Sequence, residues 1–352
     1  MKLNVLNVAY PFAEVDNEAT GGAEQILASL DRALVSAGHH SVVLACRGSN
    51  VAGELVDIEV PKGPLTEPVR ELVRFRYREI VDRLASHGGF DLVHFHGVDC
   101  ASYVSDHGRA IVTLHLPTSF YDPSLWSQQN ARLVFVSQAQ QEANPFLAGR
   151  GQVIANGIDL ENFHPATPAK GSERYFLGLG RICPEKGFHL ALQAAHAVDA
   201  SFVLAGRVFP YPEHAQYFAE AIAPLLDGRR HFVGPVSGAG KARLLAQATA
   251  LVVPSLVPET SSLVTMEALA SGTPAIVSTE GALPGLVEPG KTGWVAATQE
   301  ELQQAFLRAD ELDRRLCRSQ AEQRFDRAGM VAKYLELYEH VASWSQPHAG
   351  AA

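Results

Sequence analysis

Glu259 and Glu267 are two carboxylates eight positions apart, in the run Pro258-Glu-Thr-Ser-Ser-Leu-Val-Thr-Met-Glu-Ala-Leu-Ala-Ser-Gly-Thr-Pro274. The run reads as a loop entering a helix. A hydroxyl of Ser261 or Ser262 can cap the helix by accepting a bond from a first-turn N–H. Gly272 can end the helix in a left-handed conformation, and Pro274 prevents it from continuing. Residues 275–278 then read as a short buried strand. Glu259 therefore lies just before a helix N-terminus and Glu267 within that helix. Such a terminus offers free N–H groups and partial positive charge, which suits phosphate. Two acids beside an anion site suggest chemistry on a phosphorylated ligand that carries hydroxyl groups.

Cations for the same ligand stand earlier, in Gly180-Arg181-Ile-Cys-Pro-Glu-Lys186-Gly187. This segment follows a predicted strand and opens a helix. Arg181 would present a planar fork to phosphate oxygens and Lys186 a point charge; the plain alternative is a solvated turn with two surface charges. Near the N-terminus, Thr20-Gly21-Gly22-Ala23-Glu24 joins a first strand to a first helix, and its glycines let backbone N–H groups approach an anion or simply pack. His94, His96 and His115 fall at predicted strand ends. A metal reading requires ligands that converge in space, which spacing alone does not establish. His115, followed by Leu116-Pro117, is the histidine of the three best placed for function.

These residues need a scaffold, and the chain alternates strand and helix almost throughout. In the first half, strands are predicted at 3–9, 41–45, 92–96, 110–114, 133–137 and 152–155, with helices at 22–37 and 67–86. A Pro/Gly-containing linker at 162–173 follows. The alternation then restarts with strands at 175–179, 201–205, 230–233 and 251–253 and helices at 187–197, 214–226 and 241–248. This order implies an α/β fold of two Rossmann-like domains with parallel sheets and helices on both faces, the ligand lying where the carboxyl ends of the sheets face each other. A last helix at 328–343 carries Met330, Tyr334, Leu337 and Tyr338 at helical spacing. The tail 346–352 reads as disordered.

Composition narrows the class. The 352 residues are 47% hydrophobic and 19% charged, enough apolar material for two cores. A net charge of −9 argues against a nucleic-acid partner. Cys46, Cys100, Cys183 and Cys317 form no CxxC pair and read as free thiols in a reducing compartment. The N-terminus has asparagines where a signal peptide needs an apolar run, and no stretch reaches the length of a membrane span. The expected location is the cytoplasm. Arg70, Arg74, Arg76, Arg78 and Arg83 share a helix with Phe75 and Tyr77, a pattern that can contact an anionic membrane surface. Glu67, Glu71, Glu79 and Asp82 interleave with them, which favours pairing on a solvated face.

The motifs together resemble the GT-B glycosyltransferases of the large retaining family 4, the glycosyl transferases group 1. The resemblance rests on Gly-Gly-Ala-Glu at 21–24, the Arg181/Lys186 segment and the Glu-x7-Glu element. Val136-Ser137, the 154–159 run Ile-Ala-Asn-Gly-Ile-Asp, Ser271-Gly-Thr-Pro274 and the glycine-rich 281–293 segment extend it over nearly the whole chain. It implies a first domain at 1–163, a nucleotide-sugar-binding domain at 170–327, and a final helix, 328–343, packed back on the first domain. It implies a nucleoside-diphosphate sugar donor in the interdomain cleft, with UDP preferred to GDP, and a hexose passed with retention to an acceptor hydroxyl on a sugar, a lipid-linked molecule or a small molecule. It implies that neither a cofactor nor a metal is required.

The resemblance also implies roles for single residues. Arg181 and Lys186 hold the diphosphate, approached by Gly21 and Gly22. Glu267 binds the ribose, and Val236 and Lys241 meet the base. Glu259 meets the donor sugar, as does His115. The backbone at Ser262, Leu263 and Val264 faces the phosphates. The chain departs from many relatives in having Ser261-Ser262 where they have Phe-Gly, a change that keeps the backbone N–H contacts and adds hydroxyls that bear on sugar selection. A glycosyl phosphorylase, a nucleotide-sugar epimerase and a non-catalytic nucleotide-sugar-binding homologue are the competing readings.

Overall fold

The computed structural model describes residues 1–344 other than 18, 20, 62, 64, 88, 105–108, 129, 167–173 and 210. Most of the predicted linker and all of the predicted tail lie outside the described residues. The chain divides into two compact units, one formed by 1–155 with 330–352 and the other by 156–329.

The first unit holds strands β1 (Asn4–Val8), β2 (His40–Cys46), β3 (Glu54–Ile58), β4 (Leu92–Phe95), β5 (Ala110–Leu114), β6 (Ala131–Phe135) and β7 (Gly151–Val153). They form one parallel sheet in the order β3-β2-β1-β4-β5-β6-β7. Its helices are α1 (Gly22–Ser36), α2 (Glu67–His87) and α3 (Gln138–Glu142). The central strands are short apolar runs buried along their whole length, as a sheet covered on both faces requires. On α2, Val73, Tyr77 and Val81 form one buried stripe at four-residue spacing. The charges on its other faces pair as Arg74 with Glu67 (2.8 Å), Arg70 with Glu67 (3.6 Å) and Arg78 with Asp82 (3.8 Å). Tyr77 is a core residue and Phe75 an exposed one.

The second unit holds β8 (Phe176–Leu179), β9 (Phe202–Ala205), β10 (Arg230–Gly234), β11 (Ala250–Val253), β12 (Ala275–Val277) and β13 (Gly293–Val295). They too form a parallel sheet, ordered β10-β9-β8-β11-β12-β13. Around it lie α4 (Phe188–Ala197), α5 (Pro212–Tyr217), α6 (Gly238–Gln247), α7 (Leu263–Ala270), α8 (Gln299–Leu307) and α9 (Arg314–Arg324), with apolar cores flanking the sheet. Each sheet reverses its strand order once, between β1 and β4 and between β8 and β11. Those reversals open a crevice at the carboxyl ends of the strands.

The fold class expected from sequence is the one observed, with local differences. Strands β3 and β13 and helices α3, α8 and α9 were not predicted; β13 has three residues, and α9 has a strongly polar surface. The strand expected at 133–137 begins at Ala131 and ends at Phe135. The helix expected at 214–226 starts at Pro212, widens at Phe218–Ile222 and tightens at Ala223–Leu225, where Pro224 has no N–H to give. Residues 156–163, placed by sequence with the first domain, pack with the second. Ile158 exchanges backbone bonds with Phe325 (2.8 Å) and Arg327 (3.0 Å), and Phe163 joins the second core.

The last helix, α10 (Arg327–Ala342), belongs from Met330 onward to the first unit. Met330, Tyr334, Leu337 and Tyr338 are all buried. The Tyr338 hydroxyl lies 2.7 Å from His94 Nδ1, and the Tyr334 hydroxyl 3.0 Å from Thr113 Oγ1, which is itself 2.8 Å from His94 Nε2. The helix thus supplies polar partners to groups buried in β4 and β5. Tyr338→Phe should leave one imidazole nitrogen unpaired in the core and lower the stability of the first unit by about 1–3 kcal/mol. A urea titration checks this, and an unchanged midpoint would show that the bond contributes nothing.

Candidate functional site

In the second unit, the loop after β8 and the loop after β11 meet at the strand-order reversal. The first carries Arg181 and Lys186 and the second carries Glu259. Lys186 Nζ lies 2.5 Å from Glu259 Oε1, and the same oxygen accepts the Ser255 hydroxyl at 2.7 Å. A backbone bond locks the two loops together, since Leu256 N donates to the Glu185 carbonyl at 2.8 Å, and the Ser255 Oγ stands 3.3 Å from the same carbonyl. Gly187, between Lys186 and α4, has φ +64°, and a Cβ there would collide with the Pro254 carbonyl. Only glycine combines that backbone with that approach.

Glu259 is also held from behind. It bridges Gly281 in parallel register, and its carbonyl accepts from Ala282 N at 2.7 Å. Gly281 has φ +61°, and a Cβ there would strike the Glu259 backbone. Ser255 and Gly281 are supports to which the motif reading gave no role. Gly281 lies in the recognised 281–293 segment, whereas a lone serine after a strand carries no signal of its own.

Helix α7 begins one turn beyond Glu259. Ser262 is its N-cap and Ser261 is not, because the Ser262 oxygen accepts from Thr265 N at 3.4 Å and contacts Thr265 Oγ1 at 2.8 Å. The first-turn N–H groups of Leu263 and Val264 have no acceptor within the helix and remain available to an anion. Gly272 ends the turn after α7 with φ +67°, as its position predicts. Glu267 is buried inside α7 and pairs with Lys241 Nζ at 2.7 Å. Burial raises the Glu267 pKa above the usual carboxylate range, and Lys241 offsets part of that shift. The Lys241 ammonium also lies 5.4 Å from the centroid of the Phe163 ring. Val236 packs half-buried against the same core. Arg181 is exposed and forms no ion pair among the described residues, so its guanidinium remains open to a ligand.

Buried ion pairs are weak sources of net stability, because desolvation offsets their attraction. The Lys186–Glu259 pair, partly buried just before α7, and the Lys241–Glu267 pair, at the fifth residue of α7, therefore suit ligand binding better than folding. Glu259 accepts from a lysine and a serine, and Glu267 from another lysine, so each carboxylate stands directly beside a cation.

In the first unit, Gly21 caps α1 and Gly22 begins it. The Glu24 carboxylate packs where a Cβ on Gly21 would stand. His96 and His115 meet at the carboxyl ends of β4 and β5, with His96 Nδ1 3.0 Å from His115 Nε2 and the rings stacked. His94 is a structural histidine on this geometry, held by Thr113 and Tyr338. Burial pushes His115 down to about 3 and lowers His94 and His96 well below the ordinary imidazole value. All three are neutral near pH 7, and across the His96–His115 contact one ring donates and the other accepts.

This has a pH consequence. The folded His115 value of about 3 lies below the ordinary 6.5, so only the unfolded chain takes up that proton between them. The resulting stability is complete above about pH 6.5 and is lost as pH falls; at about pH 5 the loss from His115 is at most about 2 kcal/mol. Denaturant midpoints should be lower at about pH 5 than at about pH 7.5, and His115→Gln should narrow the gap. An identical gap in His115→Gln would refute the assignment.

A family profile described as Glycosyl transferases group 1 matches residues 159–324, and one described as Glycosyltransferase Family 4 matches residues 20–162. The phosphatidyl-myo-inositol mannosyltransferase of Mycobacterium leprae is 27% identical over 73% of this chain and 75% of its own length. Among solved structures, sucrose-phosphate synthase from Thermosynechococcus elongatus superposes with a TM-score of 0.81 at 19% identity, over 97% of this chain and 100% of that one. HepE of Anabaena, solved in complex with UDP-glucose, gives 0.74 at 18% identity, over 96% and 99%. Among the described residues, no helix is long and apolar enough to cross a membrane. With both halves matched in order and two Rossmann-like sheets in place, the chain belongs to the group 1 glycosyltransferases of the GT-B fold.

Proposed function

We propose that the enzyme moves a hexose from a nucleoside-diphosphate sugar, UDP in preference to GDP, to an acceptor hydroxyl with retention of anomeric configuration and without a metal. The observation that carries this reading is the Lys186–Glu259 contact at the β8/β11 reversal, beside the open N-terminus of α7. It brings together a cation for phosphate, a carboxylate for a sugar and free N–H donors. The mannosyl transfer named for the mycobacterial relative and the UDP-glucose bound by HepE are consistent with the donor class.

Departure of the nucleoside diphosphate builds negative charge on its phosphate oxygens. Lys186, Arg181 and the N–H groups at Ser262, Leu263 and Val264 stabilise that charge through fixed electrostatics. Glu267 accepts from the ribose hydroxyls, with Lys241 and Val236 bordering the base. The sugar gains oxocarbenium character as its C1–O bond to phosphate breaks. Glu259 orients the sugar hydroxyls and favours that positive charge. The acceptor oxygen bonds to C1 on the face the phosphate leaves, and its proton passes to a phosphate oxygen. The resemblance assigns Gly21 and Gly22 to the diphosphate and the neutral His115 to the transferred sugar, where it serves as a hydrogen-bonding group.

Removing one charge-stabilising group at such a centre lowers kcat by about 10²–10³-fold. Lys186→Ala and Glu259→Ala should each show a loss of this size in donor turnover while unfolding as the parent does. Wild-type turnover in both would remove the assignment. Thermal shifts with UDP, GDP, ADP and dTDP test the base, since a ligand at about 100 times its Kd adds about 2.7 kcal/mol. UDP should give the largest shift, and a larger one with GDP would reverse the preference.

A further inference from the structure

The turn that carries Lys186 holds a second, unassigned set of groups. Cys183, Glu185 and His214 bring one thiol sulfur, one carboxylate oxygen and one imidazole nitrogen within 4.8 Å of one another. Cys183 is buried and Glu185 is exposed. His214, at the start of α5, is only 8% exposed, and its Nδ1 has no hydrogen-bond partner among the described residues. A buried polar atom left unpaired costs about 1–3 kcal/mol and calls for an explanation. The Tyr211 ring stands edge-on to the imidazole at 5.1 Å, which narrows the freedom of the His214 side chain.

We propose that Cys183, Glu185 and His214 form a binding site for one zinc ion, with a fourth coordination position left to water. The donor set selects the metal. A thiolate and an imidazole disfavour magnesium and calcium, which take oxygen ligands, whereas sulfur, nitrogen and one carboxylate oxygen suit four-coordinate zinc. Zinc bonds of about 2.0–2.3 Å in tetrahedral geometry place ligand atoms roughly 3.3–3.8 Å apart. The three donors must therefore draw together slightly, which the exposed Glu185 side chain can accommodate. Binding exchanges the Cys183 thiol proton for the metal and gives one nitrogen of the buried imidazole a metal bond.

The site stands directly beside the candidate donor machinery. Lys186 N donates to the Cys183 carbonyl at 3.2 Å, and the Glu185 carbonyl anchors Leu256 and Ser255. A metal on Cys183 and Glu185 fixes both ends of the turn from which Lys186 reaches Glu259. The ion acts on backbone geometry and takes no part in the transfer step, so the site stands or falls independently of the donor assignment.

Cobalt(II) titration of the chelator-stripped 352-residue chain tests this, with absorption as the readout. One equivalent should bind, giving a thiolate-to-cobalt band in the near ultraviolet and visible bands of four-coordinate type. Zinc should displace it and raise the melting temperature. Cys183→Ser and His214→Gln should abolish the band, and Cys46→Ser should keep it. Glu185→Gln, at an exposed position that leaves folding intact, should weaken zinc binding about tenfold or more. No thiolate band at stoichiometric cobalt, a band that survives Cys183→Ser, or unchanged zinc affinity in Glu185→Gln would overturn the proposal.

Discussion

A lysine ammonium 2.5 Å from a carboxylate, at the carboxyl ends of two adjacent parallel strands, is the contact on which the rest of the second unit converges. Neither charge could be held there alone at low cost. Lys186 sits on a turn closed by the left-handed Gly187, and Glu259 is fixed by Ser255 at its side chain and by Gly281 at its backbone. Changing either glycine would force a backbone carbonyl away and open the pair. The parallel sheet supplies the constraint behind these details, because its strand order reverses between β8 and β11 and leaves both loops on one edge.

The first unit solves a different problem with neutral groups. Its sheet places three histidines at or near the ends of β4 and β5, where burial removes their charge. The hydroxyls of Thr113 and Tyr338 then satisfy His94. The final helix is therefore both an apolar cover and a source of hydrogen bonds. This explains why a segment more than two hundred residues away in sequence belongs to the same compact unit.

Much of this was legible in the residue pattern. Alternating apolar runs and amphipathic segments announced two α/β halves, and the buried stripe of α10 was visible as Met330, Tyr334, Leu337 and Tyr338. The serine pair at 261–262 left two candidate caps, and only Ser262 has the geometry to reach Thr265. Short or polar elements escaped notice. Strand β13 is too brief to show a period, and the abundant charges of α9 hide its buried face of Cys317, Gln320 and Ala321. The domain boundary moved because Ile158 and Phe163 find their partners in the second core, and a loop's composition carries no record of such long-range contacts.

The sequence by itself determined the family, the α/β class and the identity of the charged residues, because these rest on local periodicity and on motif spacing along one chain. Tertiary structure alone decided which charges meet. Lys186 is seventy-three positions from Glu259, and Lys241 twenty-six from Glu267; nothing in the spacing pairs them. Sheet topology did so by bringing loop ends together where low dielectric strengthens an ion pair and penalises an unpaired charge. The same folding placed Cys183, Glu185 and His214 around one point, joining residues that no motif connects.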